Sequence, residues 1–281
     1  MLETRQIIVR DAMTVVASVQ TDAGCIRDSN EDSGRHVAPN DLETRVRRGT
    51  LTIVADGMGG HASGEVASQM AVELISEFYY ADDAQDVPNA LKTAIELANK
   101  QIFEASSLDE KYFGMGTTLV ALVVLGNKAF SAHVGDSRLY RMRFGRLEMI
   151  TTDHSQVMEM VRHGIITMEE ASSHDDKNVI LRAVGTQEHV EVEVSEPFEV
   201  EVGDTFLLCS DGLSDMIDDP SIEMIMMSEP DIHVIGEQLI AAANESGGHD
   251  NITVGIVWID IPNSLETNRN VRVTREVEAF V

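Results

Sequence analysis

Apolar residues recur along this chain with two different periods, and the switches between them mark its elements. Leu51, Ile53 and Val54 dominate residues 51–55 and predict a buried strand. That strand runs into Asp56-Gly57-Met58-Gly59-Gly60-His61, where the glycines permit a turn that a Cβ would obstruct. From Ser63 the period becomes helical: Val66, Ala67, Met70, Ala71, Leu74, Ile75 and Phe78 make one stripe reaching residue 80. Pro88 opens a second helix whose stripe is Leu91, Ala94, Ile95, Ala98 and Ile102. Two such helices in succession are expected to lie side by side on a sheet.

Strand patterns fill most of the remainder. Residues 14–19 predict a first strand, ended by Thr21-Asp22-Ala23-Gly24, and residues 35–48 read as a polar excursion. Residues 117–125, 128–134, 139–143 and 147–150 are strand-like, with turns at Gly126-Asn127, Gly135-Asp136-Ser137 and Phe144-Gly145-Arg146. Together they predict an antiparallel meander. Residues 151–185 are more polar: a short helix at 156–163 stopped by Gly164, a capping box at Thr167-Met168-Glu169-Glu170, and a loose link at 172–177. This segment reads as a lid or flap outside the core. Residues 191–194 alternate as a half-exposed strand does, and residues 205–209 form a buried strand that delivers Ser210-Asp211-Gly212. A helix at 232–243, with Ile235, Leu239, Ile240 and Ala243 inward, precedes Asp250-Asn251 and a last strand at 252–259. From Pro262 onward the chain is polar and reads as a loose tail.

Composition narrows the functional classes. The 281 residues carry 48 acidic and 21 basic side chains, a formal charge of −27, which excludes a basic footprint for nucleic acid or anionic membrane. No run is long enough for a membrane span, and the first five residues lack the apolar core of an export signal. Cys25 and Cys209 form neither a metal spacing nor a disulfide framework, and Cys209 lies in an apolar run as packing. A cytoplasmic protein is the expectation.

Acidic residues gather at strand ends and tight turns: Glu31-Asp32, Asp56-Gly57, Asp136, Asp211-Gly212 and Asp250-Asn251. A carboxylate at the end of a buried strand is costly unless something pairs with it. One Asp-Gly alone is an ordinary turn; five acidic clusters delivered by strand-like sequence point to shared cations. Oxygen ligands without paired histidine or cysteine favour magnesium or manganese over zinc. Two such ions held roughly 4 Å apart would generate hydroxide near neutral pH and clamp a phosphoryl oxygen.

The set Arg27…Asn30-Glu31-Asp32, Asp56-Gly57-Met58-Gly59-Gly60-His61, Gly116-Thr117-Thr118, Gly135-Asp136-Ser137-Arg138, Ser210-Asp211-Gly212-Leu213 and Asp250-Asn251 resembles the metal-dependent serine/threonine protein phosphatases of the 2C type, bacterial branch. The resemblance runs from about residue 15 to residue 258. It implies an α+β fold, a four-layer α-β-β-α sandwich of two antiparallel sheets flanked by helices, with the flap at about 151–185. The catalytic domain would span residues 1–262, followed by a polar tail at 263–281. Asp56 would bridge two ions, the Gly57 carbonyl would complete one, Asp211 and Asp250 would hold one, and Glu31 would reach the other. Asp32 would orient a metal-bound water. Asp136 would hold a third, weaker ion with Asp211 and Asp215. Arg27 would bind the substrate phosphate. Animal members carry a histidine directly after the Asp-Gly as proposed general acid; here that position is Met58. His61 either takes over that role or only supports the loop. His133 reads as strand packing and His154 as a brace at the mouth of the flap.

The implied activity is hydrolysis of phosphoserine and phosphothreonine on proteins by direct attack of a metal-bound hydroxide, with manganese or magnesium as cofactor. Phosphorylated proteins, including a serine/threonine kinase and its substrates, are the implied partners. A catalytically weak, phosphoprotein-sensing module of the same fold is the alternative, and a hydrolase of small phosphoesters would share the chemistry.

Overall fold

The computed structural model describes residues 13–59, 63–81 and 85–261. Strands β1 (Thr14–Asp22) and β2 (Asp32–Val37) precede a short helix, α1 (Leu42–Arg48), and β3 (Thr50–Met58) leads to the long helices α2 (Ser63–Ala81) and α3 (Val87–Leu108). A run of β4 (Gly116–Thr117), β5 (Leu119–Leu125) and β6 (Lys128–Val134) follows, then the hairpin of β7 (Arg138–Arg143) and β8 (Arg146–Met149). The insert carries α4 (Gln156–Arg162) and α5 (Met168–Ser172). Short β9 (Glu193–Val194) and β10 (Phe198–Glu199) return the chain to β11 (Thr205–Cys209). Helices α6 (Asp211–Ser214), α7 (Asp219–Ser228) and α8 (Ile232–Glu245) and strand β12 (Ile252–Asp260) complete the chain.

Two antiparallel sheets result, ordered β1-β12-β11-β7-β8 and β10-β6-β5-β3-β2, with β4 on β3 and β9 on β6. The central strands of the middle layers, such as β3, β5 and β11, are apolar on both faces because each face is covered. Along β3, Leu51, Ile53 and Ala55 pack against Ala67, Ala71, Ile75, Leu91 and Ile95 of α2 and α3. Val54, on the opposite face, meets Leu139, Phe206, Leu208 and Val257 of the other sheet. The outer face of that sheet, with Leu207, Val254 and Ile256, is closed by Ile222 of α7 and by Ile235 and Leu239 of α8. The layers are therefore α-β-β-α, the architecture implied by the resemblance.

Four local expectations are corrected. The meander does not form: β5 and β6 pair in one sheet, whereas β7 pairs with β11 in the other. The chain crosses between sheets within Gly135-Asp136-Ser137, where Gly135 has φ +104° and an added Cβ would lie 2.6 Å from the Thr118 side chain. The excursion at 35–48 instead contains the second half of β2 and helix α1, capped by Asp41 accepting from the Thr44 N–H at 2.7 Å. The strand expected at 117–125 is interrupted at Thr118, whose N–H turns to the Asp56 carbonyl, 2.9 Å away. The capping box at Thr167 is present in full. The link at 172–177, expected to be loose, is tied down where Lys177 Nζ donates to Asp215 Oδ2 at 2.8 Å. His61 and residues 263–281 lie outside the described residues.

Candidate metal centre

The site is assembled where strand ends of both sheets meet. Asp32 opens β2 and stands directly opposite Asp56 of β3 in the antiparallel register. Gly57 follows Asp56 at a point where only a hydrogen fits. A Cβ there would lie 2.2 Å from the Gly64 carbonyl and 2.4 Å from the Glu31 carbonyl. The Gly57 N–H donates to that Glu31 carbonyl at 3.1 Å, so Glu31, Gly57 and the start of α2 are locked together. Asp211 lies at the end of β11 as the first residue of α6, and Asp250 lies two residues before β12.

A ring of hydrogen bonds fixes this floor. Ser210 Oγ donates to Asp32 Oδ2 at 2.7 Å and accepts from the Thr253 N–H at 2.9 Å. Thr253 Oγ1 meets Thr21 Oγ1 at 2.7 Å, Asn30 Nδ2 donates to Thr21 Oγ1 at 2.8 Å, and Asn30 Oδ1 accepts from the Asp32 N–H at 3.1 Å. Asn251 fastens the neighbouring loop. Its Oδ1 accepts from the Glu31 N–H at 2.7 Å, and its Nδ2 donates to the carbonyls of Ala23 and Ser29. Sequence reasoning assigned no role to Ser210, Thr253 or Asn251; the only signal was their position next to carboxylates or on the last strand.

The electrostatics are those of crowded, poorly solvated anions. Burial, then the charges of Asp32, Asp211 and Asp136, holds the Asp56 carboxyl well above the usual carboxylate range. Burial pushes Asp32 up to about 7 despite the hydrogen bonds from Ser210 and Thr253, and Asp136 up to about 7 with help from Asp211. Asp211 rises to about 6 by burial and the charges of Asp215 and Asp250, and Glu31 is raised mainly by burial. The carboxyls of Asp56 and Asp211 lie side by side, and the charge of Asp211 raises the cost of ionising Asp56. At ~4 Å and an effective dielectric of about 20, each ionised pair would repel by about 4 kcal/mol.

Arg27 Nη2 donates to Asp250 Oδ2 at 2.7 Å, and Lys177 reaches Asp215. Arg138 is spent on Asp153 at 2.7 Å, beside the cluster. Two buried oxygens, Asp32 Oδ1 and Asp211 Oδ1, find no hydrogen-bond partner among the described residues. Orphaned buried oxygens in an all-oxygen donor set are what a hard divalent ion satisfies. The residues therefore fit magnesium or manganese. Cys209, by contrast, is buried with its thiol pushed up to about 12 and is no nucleophile. The structure thus brings Arg27, Glu31, Asp32, Asp56, Gly57, Asp136, Asp211 and Asp250 to one end of the sandwich.

Known proteins are similar to this chain in sequence and structure. The family profile described as protein phosphatase 2C matches residues 41–247. The serine/threonine phosphatase stp of Listeria monocytogenes serotype 4b (strain F2365) is 40% identical over 250 residues, covering 87% of this chain and 96% of that protein. The crystal structure of the Mycobacterium tuberculosis serine/threonine phosphatase PstP/Ppp is similar with a TM-score of 0.79 at 36% identity, covering 88% and 99% of the two chains. A crystal structure of the PstP catalytic domain in complex with two manganese ions is similar with a TM-score of 0.75 at 34% identity, covering 88% and 99%.

Proposed function

Since the chain belongs to the protein phosphatase 2C family and is a serine/threonine protein phosphatase, we infer that its carboxylate cluster is the catalytic centre and that it works with two manganese or magnesium ions. The observation that carries this reading is the pair of orphaned buried oxygens, on Asp32 and Asp211, amid carboxyls forced toward protonation. Asp56, Glu31, Asp211 and Asp250, with the Gly57 carbonyl, would hold the two ions. Asp136 with Asp211 would hold a third, weaker one. Bound there, divalent ions would polarise the phosphoryl group and acidify the water beside them.

The chain's own residues supply the rest. Arg27 is half-exposed and its guanidinium rests on Asp250, so a phosphate dianion entering the cleft can exchange for that carboxylate in a bidentate grip. Asp32 keeps Oδ2 on Ser210 and presents Oδ1, which is suited to accept a hydrogen bond from the attacking water and hold it in line. Met58, next to Gly57, offers a thioether and no proton to the leaving alkoxide. The insert at about 151–185 borders the cluster through Lys177 and is our candidate for the surface that reads the protein around the phosphoresidue.

We assign residues 1–262 to one catalytic domain and leave 263–281 as a separate polar tail. Phosphorylated proteins, a serine/threonine kinase and its targets among them, are the proposed partners. Two unpaired cysteines, one exposed, support a cytoplasmic setting, and no described helix is long and apolar enough to cross a membrane. The non-catalytic alternative is not favoured, because the relatives are named serine/threonine phosphatases and the carboxylates proposed as ligands stand together. The test is hydrolysis of a phosphoserine or phosphothreonine peptide: activity should vanish in excess chelator and return with manganese or magnesium, and a chain inactive under every metal condition would restore the sensing alternative.

A further inference from the structure

The insert joins the core through two histidines that the metal centre does not use. His133 on β6 and His154, two residues before α4, stack with ring centroids 4.4 Å apart and planes 14° from parallel. Both are buried, and exposed Glu193 on β9 completes the group. Such a trio suggests a metal site, but the lone pairs of near-parallel stacked rings run side by side and do not converge on one point. His133 Nε2 is engaged with the Thr152 carbonyl at 2.8 Å, and Arg182 brings a guanidinium nitrogen to 3.3 Å from His154 Nε2. A cation does not belong there.

What His154 grips is the turn that carries Asp136. The His154 N–H donates to the Gly135 carbonyl at 2.9 Å, and the Gly135 N–H donates back to His154 Nδ1 at 3.1 Å. Nδ1 therefore carries no proton. The ring proton is on Nε2, which donates to Glu193 Oε2 at 3.1 Å, and burial lowers the ring's pKa and favours this neutral form. The opposite side of the turn is pinned by Thr118, whose Oγ1 meets Ser137 Oγ at 2.6 Å. The His154 carbonyl also accepts from the Leu181 N–H at 2.7 Å, so one residue joins both ends of the insert to the crossing between the sheets.

We propose that His154 is a positioning residue for the metal centre: as the Nε2–H tautomer it clamps Gly135 through Nδ1 and so fixes where the Asp136 carboxylate stands. The proposal rests on the reading of Asp136 as a metal ligand. Such outlying supports of a ligand are commonly worth about tenfold or more in metal affinity.

The experiment is a calorimetric titration of manganese into the full chain and its D136N, H154F, H154Q and H154N variants, paired with kinetics on an aryl phosphate. Asparagine places an amide oxygen near the position of Nδ1 and can accept from Gly135. Glutamine extends toward Glu193 instead, and phenylalanine keeps the stacking volume with no acceptor. H154F should weaken manganese binding about tenfold, lower kcat at limiting manganese with KM for the substrate unchanged, and regain kcat as manganese rises. H154N should keep most of the wild-type isotherm. H154Q should fall with H154F, and it carries the test in a polar background if the phenyl ring prevents folding. A wild-type isotherm in the folded H154F or H154Q, with D136N weakened, would overturn the clamp, as would an H154N as impaired as H154F. An unchanged isotherm in D136N would overturn the ligand role of Asp136 itself, on which the clamp depends.

Discussion

Asp32 and Asp56 face each other directly across the β2–β3 ladder, one carboxylate opposite another at the end of a buried sheet. Like charges at such a cross-strand position destabilise a sheet, and here burial compounds the repulsion. A fold that keeps this pair, with Asp211 beside Asp56, gives up stability that cations held there would restore.

The metal-free protein should accordingly be stabilised by acid over the range in which these groups titrate. Folded-state pKa values raised to about 6 for Asp211 and about 7 for Asp32 and Asp136 mean that the folded state holds protons the unfolded chain has released. Their contribution is fully present below about pH 4, the unfolded value, and is lost as pH rises toward 7. Manganese bound at these carboxyls would compete with those protons. Thermal melts in chelator and in manganese should show a larger metal-induced rise in Tm at pH 8 than at pH 5; an equal rise at both would separate the metal from these carboxyls.

Ser210→Ala removes the donor that steadies Asp32 and leaves a buried carboxyl oxygen unsatisfied, with the Thr253 N–H losing its acceptor. The expected cost is about 1–3 kcal/mol of stability together with a fall in kcat. Ser210→Thr, which keeps the hydroxyl, should retain more activity than Ser210→Ala. Denaturant melts and steady-state kinetics check both, and equal activity in the two variants would show that the hydroxyl is irrelevant to turnover.

Arg27→Ala should raise KM far more than it lowers kcat, because in the proposed role the guanidinium would bind a dianion already present in the ground state. Arg27→Lys should recover only part of the loss, since an ammonium lacks the planar fork. The Arg27–Asp250 pair is half-exposed, so little change in Tm is expected. An unchanged KM toward a phosphopeptide would limit Arg27 to pairing with Asp250.

Met158, Met160 and Arg162 lie on α4 of the insert, which contributes only Val157 to the buried set along that helix. Substituting them should change kcat/KM for phosphoproteins while leaving a small aryl phosphate nearly untouched. The measurement is the ratio of the two efficiencies in each variant. Proportional losses on both substrates would place α4 in the catalytic scaffold.

Much of the centre was legible because each acidic candidate is marked locally, by a glycine, an asparagine or an apolar strand-like run beside it. The two-sided apolar strands and the helical stripes of α2, α3 and α8 were legible for the same reason. What stayed hidden is set by tertiary pairing. Asp32–Val37 is a polar, half-buried strand held by β3, so its own residues hardly announce it. Nothing within Gly135-Asp136-Ser137 reveals whether β7 folds back on β6 or crosses to β11. The hydrogen bond between Ser210 and Asp32 and the pair between Lys177 and Asp215 join residues 178 and 38 positions apart, beyond any local pattern.

The most direct test of the central claim is a calorimetric count of manganese ions on the wild-type chain and on Asp56→Asn, with phosphopeptide hydrolysis measured on the same samples. Asp56 faces Asp32, touches Asp211 and is the residue assigned to both ions. The wild type should bind at least two ions, and Asp56→Asn should lose tight binding and nearly all turnover together while remaining folded. Wild-type stoichiometry and turnover in Asp56→Asn, or full wild-type activity in excess chelator, would contradict a metal centre built on these carboxylates.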